Sequence, residues 1–266
     1  MKALFVGKNS FIAKAAAQSV PADFSLVTAS HDDWIHHDLT GYDIVVNCAL
    51  HPQLMRGEYA PNLDIDITLA DKCRRARVHY VMLSTRRAYG MNLGVALQED
   101  MDSVPVDNYG KNKLTTELRV RDICAESGFT ILRISNVYGF EPGRHTFFGR
   151  ALSSLRKNKF IELDISPFVE RDFIHVADCA YLIWRVLRFK PKGLYNIGNG
   201  VACPVGKIAL WVIDGYEAGE LRVTETREFD SFSIDTSRLV SVIGNFDFKL
   251  STHQRCIEIG KRLKNE

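Results

Sequence analysis

Apolar residues fall into two kinds of stretch that take turns along the first half of the chain. Residues 2–6, 24–28, 43–47, 79–84 and 129–134 are short apolar runs, mostly β-branched, and read as strands. Between them, residues 11–19, 63–76 and 108–127 are longer, richer in helix formers, and read as helices. Strand alternating with helix to about residue 140 predicts an α/β fold, a doubly wound parallel sheet covered on both faces. Beyond that point the rhythm loosens into short strands and aromatic pairs around Gly143. Residues 1–140 are therefore expected to form the main domain and 141–266 a smaller C-terminal lobe, with segments near 171–198 returning to the main sheet.

Where the first run ends, at Gly7, the residues Lys8-Asn9-Ser10-Phe11-Ile12-Ala13 lead into a helix-forming stretch. A strand, a glycine turn and a helix opening make a site where backbone N–H groups and the helix dipole attract a pyrophosphate. Three glycines usually mark such a loop, and here the positions read Gly7, Ser10 and Ala13. Ala13 is nearly as small as glycine. Ser10 adds a side chain where a dinucleotide comes closest, and either offers its hydroxyl to a phosphate or weakens the site.

Tyr109 and Lys113 stand four residues apart, one turn apart on one helix face. A tyrosine hydroxyl ionises near pH ~10, and a cation held close lowers that value. The pair is a candidate proton donor and acceptor at neutral pH, with Thr85 as a third member. Taken without their neighbours, the same residues are better read as a helix-face tyrosine, a solvated lysine and a strand-end threonine.

Bulk properties exclude several classes. A net charge of +2 over 266 residues argues neither for nucleic acid nor for an acidic membrane surface. No apolar run approaches the ~20 residues of a membrane span, and no secretory signal opens the chain. Six scattered cysteines without a C-x-x-C pair suit reduced thiols, and the expected location is the cytoplasm. The segment His31 to Asp38 is rich in His and Asp but has no fixed ligand spacing, so no metal is expected. Lys72, Arg74, Arg75 and Arg77 end a predicted helix, where cations meet the negative end of its dipole.

Six segments in order resemble the extended short-chain dehydrogenase/reductase family, in its NAD-dependent epimerase/dehydratase branch acting on nucleotide sugars. They are Gly7 to Ala13, Ile44 to Ala49, Ser84-Thr-Arg-Arg-Ala-Tyr-Gly90 with Tyr109 to Lys113, Leu132 to Gly139, Arg171 to Asp178, and Tyr195 to Gly200. The resemblance implies a Rossmann-like sheet with a substrate-binding C-terminal lobe. It also implies that the short connection between the second and third strands has lost a helix and a strand. Tyr109 would exchange a proton with a sugar oxygen, Lys113 would hold the nicotinamide ribose, and Thr85 would hydrogen-bond the reacting oxygen. Thr85 is preferred to Ser84 because it lies four residues before Tyr89, as the family's catalytic hydroxyl does. Homodimerisation through the helices at 63–76 and 108–127 is also implied.

Two departures narrow the chemistry. Dehydratases of this branch carry Asp and Glu after that threonine, whereas this chain has Arg86 and Arg87, which cannot act as bases near neutral pH. Dual epimerase-reductases carry a cysteine where Arg87 stands. What survives is net reduction of a 4-keto sugar, the preferred reading, or 4-epimerisation through a transient ketone with tightly bound NAD. A non-enzymatic NAD(P) sensor is less favoured because the Tyr/Lys pair is kept. No carboxylate ends the second strand, and Lys8, Ser30 and His31 suit a 2′-phosphate, so NADP is favoured over NAD. Gly7, Lys8, Ser10, Phe11, Ile12, Ser30, Asp38, Cys48, Ala49 and Asn62 are the further cofactor candidates. Arg86, Asn136, Arg171 and Arg227 are the candidates for a nucleotide-sugar substrate, with Arg171 and Arg227 on its phosphates and His145, Phe147 and Phe148 nearby.

Overall fold

The computed structural model describes residues 1–91 and 93–266. The first part of the chain runs β1 (Lys2–Val6), α1 (Phe11–Ala17), β2 (Ser25–Ala29), β3 (Ile44–Asn47), α2 (Gln53–Arg56), α3 (Ile65–Ala76), β4 (His79–Thr85), β5 (Leu93–Leu97), α4 (Asn108–Ile123) and β6 (Phe129–Ile134). It continues through β7 (Asn136–Tyr138), α5 (Phe147–Asn158), β8 (Phe160–Leu163), β9 (Glu170–His175), α6 (Val176–Phe189), β10 (Gly193–Ile197) and β11 (Ala202–Pro204). The last elements are α7 (Val205–Tyr216), β12 (Glu220–Val223), β13 (Ser231–Ile234), α8 (Ser237–Ile243) and α9 (Thr252–Asn265).

Six strands form one sheet in the order β10-β6-β4-β3-β1-β2, and every neighbouring pair is parallel. All residues of β3, β4 and β6 are buried, as expected of parallel strands covered on both faces. One face carries α1, α6 and α8. There Trp184 stacks on Phe5 with ring centroids 5.2 Å apart, and its indole N–H donates to the Ala16 carbonyl at 3.0 Å. The other face carries α3 and α4, whose Leu69, Cys73 and Val120 pack against Leu4, Tyr80 and Ile131. This is the doubly wound parallel sheet that the apolar rhythm predicts, in the Rossmann-like form that the resemblance implies.

Between β2 and β3 the chain makes only two short 3-10 turns, Asp33–His36 and Leu39–Gly41, so β2 is the sheet's edge. Strand order reverses at β1, with β2 on one side and β3 on the other. In such sheets the crevice beyond the carboxyl ends at the reversal is where ligands sit.

Helix ends differ from the sequence reading. α3 begins at Ile65 rather than 63, because the Asp64 carboxylate caps it by accepting from Asp66 N at 3.0 Å. α4 ends at Ile123 rather than 127, and the chain then turns so that Gly128 lies against the His79 ring. The stretch 171–198 does not return to the six-stranded sheet as a whole. α6 covers that sheet and β10 extends it beyond β6, but β9 belongs to a second sheet of order β11-β9-β13-β5, with β7 also on β9. Buried Asp172 of β9 accepts from the Asn199 and Gly200 N–H groups at 2.9 and 2.8 Å, tying that sheet to the loop after β10. A third apolar cluster lies among α5, α7, α9 and the β12/β8 pair.

Candidate active site

A cleft of about 1160 Å³ opens over the carboxyl ends of β1, β3, β4 and β6, faced by the loop after β7, the start of α5 and the segment before β13. Gly7 has φ +91°, and a Cβ there would lie 2.7 Å from Ala49 N and 2.9 Å from the Cys48 carbonyl carbon. Only glycine lets the chain leaving β1 turn so closely against the segment just beyond β3. Ser10 caps α1, its Oγ accepting from Ala13 N at 3.1 Å. Phe11 and Ile12 follow, and the first N–H groups of a helix have no partner within it. The serine that departs from the glycine pattern thus organises the loop. Past β2, Ser30 Oγ accepts from Asp32 N and Asp33 N at 3.3 and 3.0 Å, and Lys8 reaches Asp33 at 3.9 Å. Burial pushes the Cys48 thiol up to about 12, against a hydrogen bond with Ser10 that lowers it, so it sits here as an inert neutral group. A glycine-only approach, open helix N–H groups and a switch-point crevice fit a dinucleotide.

The three candidate catalytic residues, Thr85, Tyr109 and Lys113, all line this cleft. Tyr109 lies in the first turn of α4, whose cap, Asp107, accepts from Gly110 N at 2.8 Å and pairs with Arg87. A Cβ on Gly110 would lie 2.5 Å from the Arg87 carbonyl oxygen, so this glycine lets α4 dock on the Arg86–Tyr89 turn. Thr85 Oγ1 accepts from Arg87 N at 3.2 Å, leaving its hydroxyl hydrogen for another acceptor. Ser84 differs: its Oγ donates to buried Glu117, which is also bound by Arg133 at 2.7 Å. Lys113 is 5% exposed and donates to the Leu83 carbonyl at 2.9 Å and to Asp66 at 3.2 Å. Burial alone would lower its pKa, but Asp66, Tyr109 and Asp64 outweigh that, and the net shift is upward.

On the opposite wall, Arg86 forks onto Asp230 with both bonds at 2.7 Å, and the same carboxylate lies 3.7 Å from Arg171. The Arg86 guanidinium is thereby committed to Asp230, while Arg171 keeps an edge in the cleft. Burial pulls the Arg171 pKa down and Asp230 opposes this. Asn136, at the start of β7, and Arg227 also line the cleft, as do His145, Phe147 and Phe148, although Arg227 pairs with Glu225 rather than Asp230.

Two candidates lie elsewhere. Asp38 does not line the cleft; its carboxylate is taken up by the N–H and hydroxyl of Thr40, capping the second 3-10 turn. Asn62 is exposed in the Pro61–Leu63 turn and does not line the cleft. Asp66 and Asp230 escaped the sequence reading as partners of Lys113 and Arg86, since neither pairing has a local signature. Among the described residues, no three His, Cys, Asp or Glu side chains converge as metal ligands, and no helix is long and apolar enough to cross a membrane.

The profile of the NAD dependent epimerase/dehydratase family matches residues 14–198. The chain belongs to this family. It is 38% identical over 91 residues to the UDP-glucose 4-epimerase of Azospirillum brasilense, covering 33% of this chain and 26% of that protein. It is 27% identical over 190 residues to the GDP-6-deoxy-D-talose 4-dehydrogenase of Aggregatibacter actinomycetemcomitans, covering 69% of this chain and 64% of that one. The chain thus spans less than two thirds of either relative's length. Among solved structures, the UDP-N-acetylglucosamine 4-epimerase from Methanobrevibacter ruminantium M1 superposes with a TM-score of 0.83 at 17% identity, over 98% of this chain and 97% of the other, a likeness of fold.

Proposed function

We propose that this family member is an NAD(P)-dependent oxidoreductase that interconverts a carbinol and a ketone on a nucleotide-linked sugar, acting as a 4-keto-sugar reductase. One observation supports the reading: Thr85, Tyr109 and Lys113 all line the one cleft, while arginines follow Thr85 where dehydration would need carboxylates. When bound, the nicotinamide supplies the hydride that reaches the carbonyl carbon. Tyr109 gives its proton to the carbonyl oxygen, and Thr85 donates its free hydroxyl hydrogen to the same oxygen. Lys113 holds the ribose and leaves a positive charge beside the tyrosinate that forms. Arg171, with Arg227 and Asn136, holds the nucleotide diphosphate.

NADPH is the preferred cofactor, because β2 ends at Ala29-Ser30 without a carboxylate and Lys8, Ser30 and His31 line that end of the cleft. A 4-epimerase with retained NAD is the second reading, favoured by the name of the Azospirillum relative. A homodimer through α3 and α4 and a cytoplasmic location complete the proposal.

Purified protein would be mixed with NADPH or NADH and a panel of nucleotide-linked 4-keto sugars, following nicotinamide absorbance. The expected result is stoichiometric NADPH oxidation, lost by about 10²–10⁴-fold in Tyr109→Phe with sugar binding within a few-fold. NAD released only on denaturation, with 4-epimer formed and no net oxidation, would replace the reductase with the epimerase. Full turnover by Tyr109→Phe would end both.

A further inference from the structure

Lys113 poses a problem that the catalytic trio does not solve. Its ammonium is 5% exposed, and an unpaired lysine at such a site sheds its proton. A neutral amine there would neither favour a tyrosinate nor bind ribose hydroxyls as an ammonium does. The solution lies on another helix. Asp66, in the first turn of α3 and 2% exposed, presents Oδ2 to Lys113 at 3.2 Å. Its Oδ1 accepts from the Tyr80 hydroxyl at 2.5 Å and from Asn47 Nδ2 at 2.7 Å. Three donors, from Lys113, Tyr80 and Asn47, and the positive end of a helix dipole thus converge on this one carboxylate.

We infer that Asp66 is a positioning residue whose carboxylate keeps Lys113 protonated inside the protein and aims its ammonium at the cleft. With Asp66 and the Leu83 carbonyl each taking one N–H of the ammonium, the third remains for the cleft side. Asp66 joins α3 to β3, β4 and α4 at one point, so the charge is fixed by the same contacts that fix the fold. The use made of the charge rests on the oxidoreductase reading; the charge itself does not.

Other titratable groups face this pair. Asp64 of α3 and Tyr109 of α4 act on Lys113, and Tyr80 of β4 and Cys48 beyond β3 act with Asp66. Asp64 is less able to substitute, because its carboxylate is occupied by Thr116 at 2.6 Å and Tyr59 at 2.8 Å, and burial raises its pKa.

The test reads the charge directly. Full-length protein carrying ¹³C at the lysine ε position would be titrated by NMR, with the Lys113 signal assigned by its loss in Lys113→Met. In Asp66→Asn, and in the smaller Asp66→Ser should the first variant not fold, the Lys113 signal should titrate on the order of two pH units below wild type. Tyr80→Phe, which removes a hydrogen bond from the network but keeps the carboxylate, should leave the midpoint within about half a unit. Nicotinamide cofactor affinity in Asp66→Asn should fall on the order of tenfold as pH rises through the new midpoint, and recover below it. A Lys113 midpoint unchanged in both Asp66 variants overturns the inference, and so does an equal shift in Tyr80→Phe, which would mark a purely structural role. If the midpoint moves but no sugar is ever turned over, the oxidoreductase reading fails and the inference stands.

Discussion

Single residues differ sharply in how much of their role sequence exposes. Tyr109 and Lys113 were paired by spacing, because one helical turn sets them on one face, and Thr85 by the resemblance; all three line the cleft. Asp66 and Asp230 could not be found in either way, since they pair with groups 47 and 144 positions away. His79 is a further buried group of this kind, and it has a measurable consequence. The Thr130 hydroxyl gives its hydrogen to the Pro191 carbonyl, so its oxygen is free to accept from His79 Nε2, 2.8 Å away. A second proton would have to enter at Nδ1, which faces Gly128. Burial, helped by the charge of Lys190, pushes the His79 pKa down to about 4 from 6.5. The unfolded chain takes up this proton below pH 6.5 and the folded chain does not. The associated stability is whole above 6.5 and is lost as pH falls through 4, about 2 kcal/mol of it by pH 5. Asp172, raised to about 6 by burial, acts in the opposite direction, so only a comparison of variants isolates His79. Urea midpoints at pH 7.5 and pH 5 should lie closer together in His79→Asn than in wild type; equal acid losses in the two proteins would contradict the assignment.

Most elements of the first half were legible because they bury continuous apolar faces in one six-stranded sheet, but β5, which pairs with β13 in the second sheet, was not. Those of the second half were not, because strands of three to six residues such as β7, β9 and β11 are defined by partners distant in sequence. The α7–α9 contact shows what pattern alone misses. A Cβ on Gly260 would lie 2.2 Å from the Val212 carbonyl oxygen, and one on Gly215 would lie 2.2 Å from that of Ile257. The two helices meet backbone to backbone through reciprocal glycines, and neither obstacle is a side chain that can swing aside. Gly260→Ala and Gly215→Ala should each cost about 1–3 kcal/mol, the usual scale for overpacking. Gly41→Ala, with no atom within 4 Å of the added methyl, should cost less than either. Thermal melts of the three variants decide the matter, and a neutral Gly260→Ala would mean that the helices cross further apart.

For the whole molecule, the cleft joins both halves of the chain: Gly7, Cys48 and Tyr109 come from the main sheet and its helices, while Arg171, Arg227 and Asp230 come from the later segments. A ligand filling only the Gly7 end therefore draws its stabilisation from the main sheet. That sets apart the effects of cofactor and sugar nucleotide on unfolding. A cofactor at one hundred times its Kd stabilises the folded state by about 2.7 kcal/mol, provided it does not bind the unfolded chain. NADPH should raise the melting temperature more than NADH at equal concentration, because no carboxylate waits at the end of β2 to hold a free ribose 2′-hydroxyl. Gly7→Ala should abolish both shifts, since its methyl would strike the Cys48–Ala49 backbone just beyond β3 and its φ of +91° disfavours any side chain. Arg171→Ala should keep the cofactor shift and lose the further one produced by a nucleoside diphosphate. Scanning calorimetry on the three proteins with each ligand tests this division. A larger shift with NADH than with NADPH would turn the reading towards an NAD enzyme, and equal loss of both ligands in Arg171→Ala would mean that the two ends of the cleft are not separate sites.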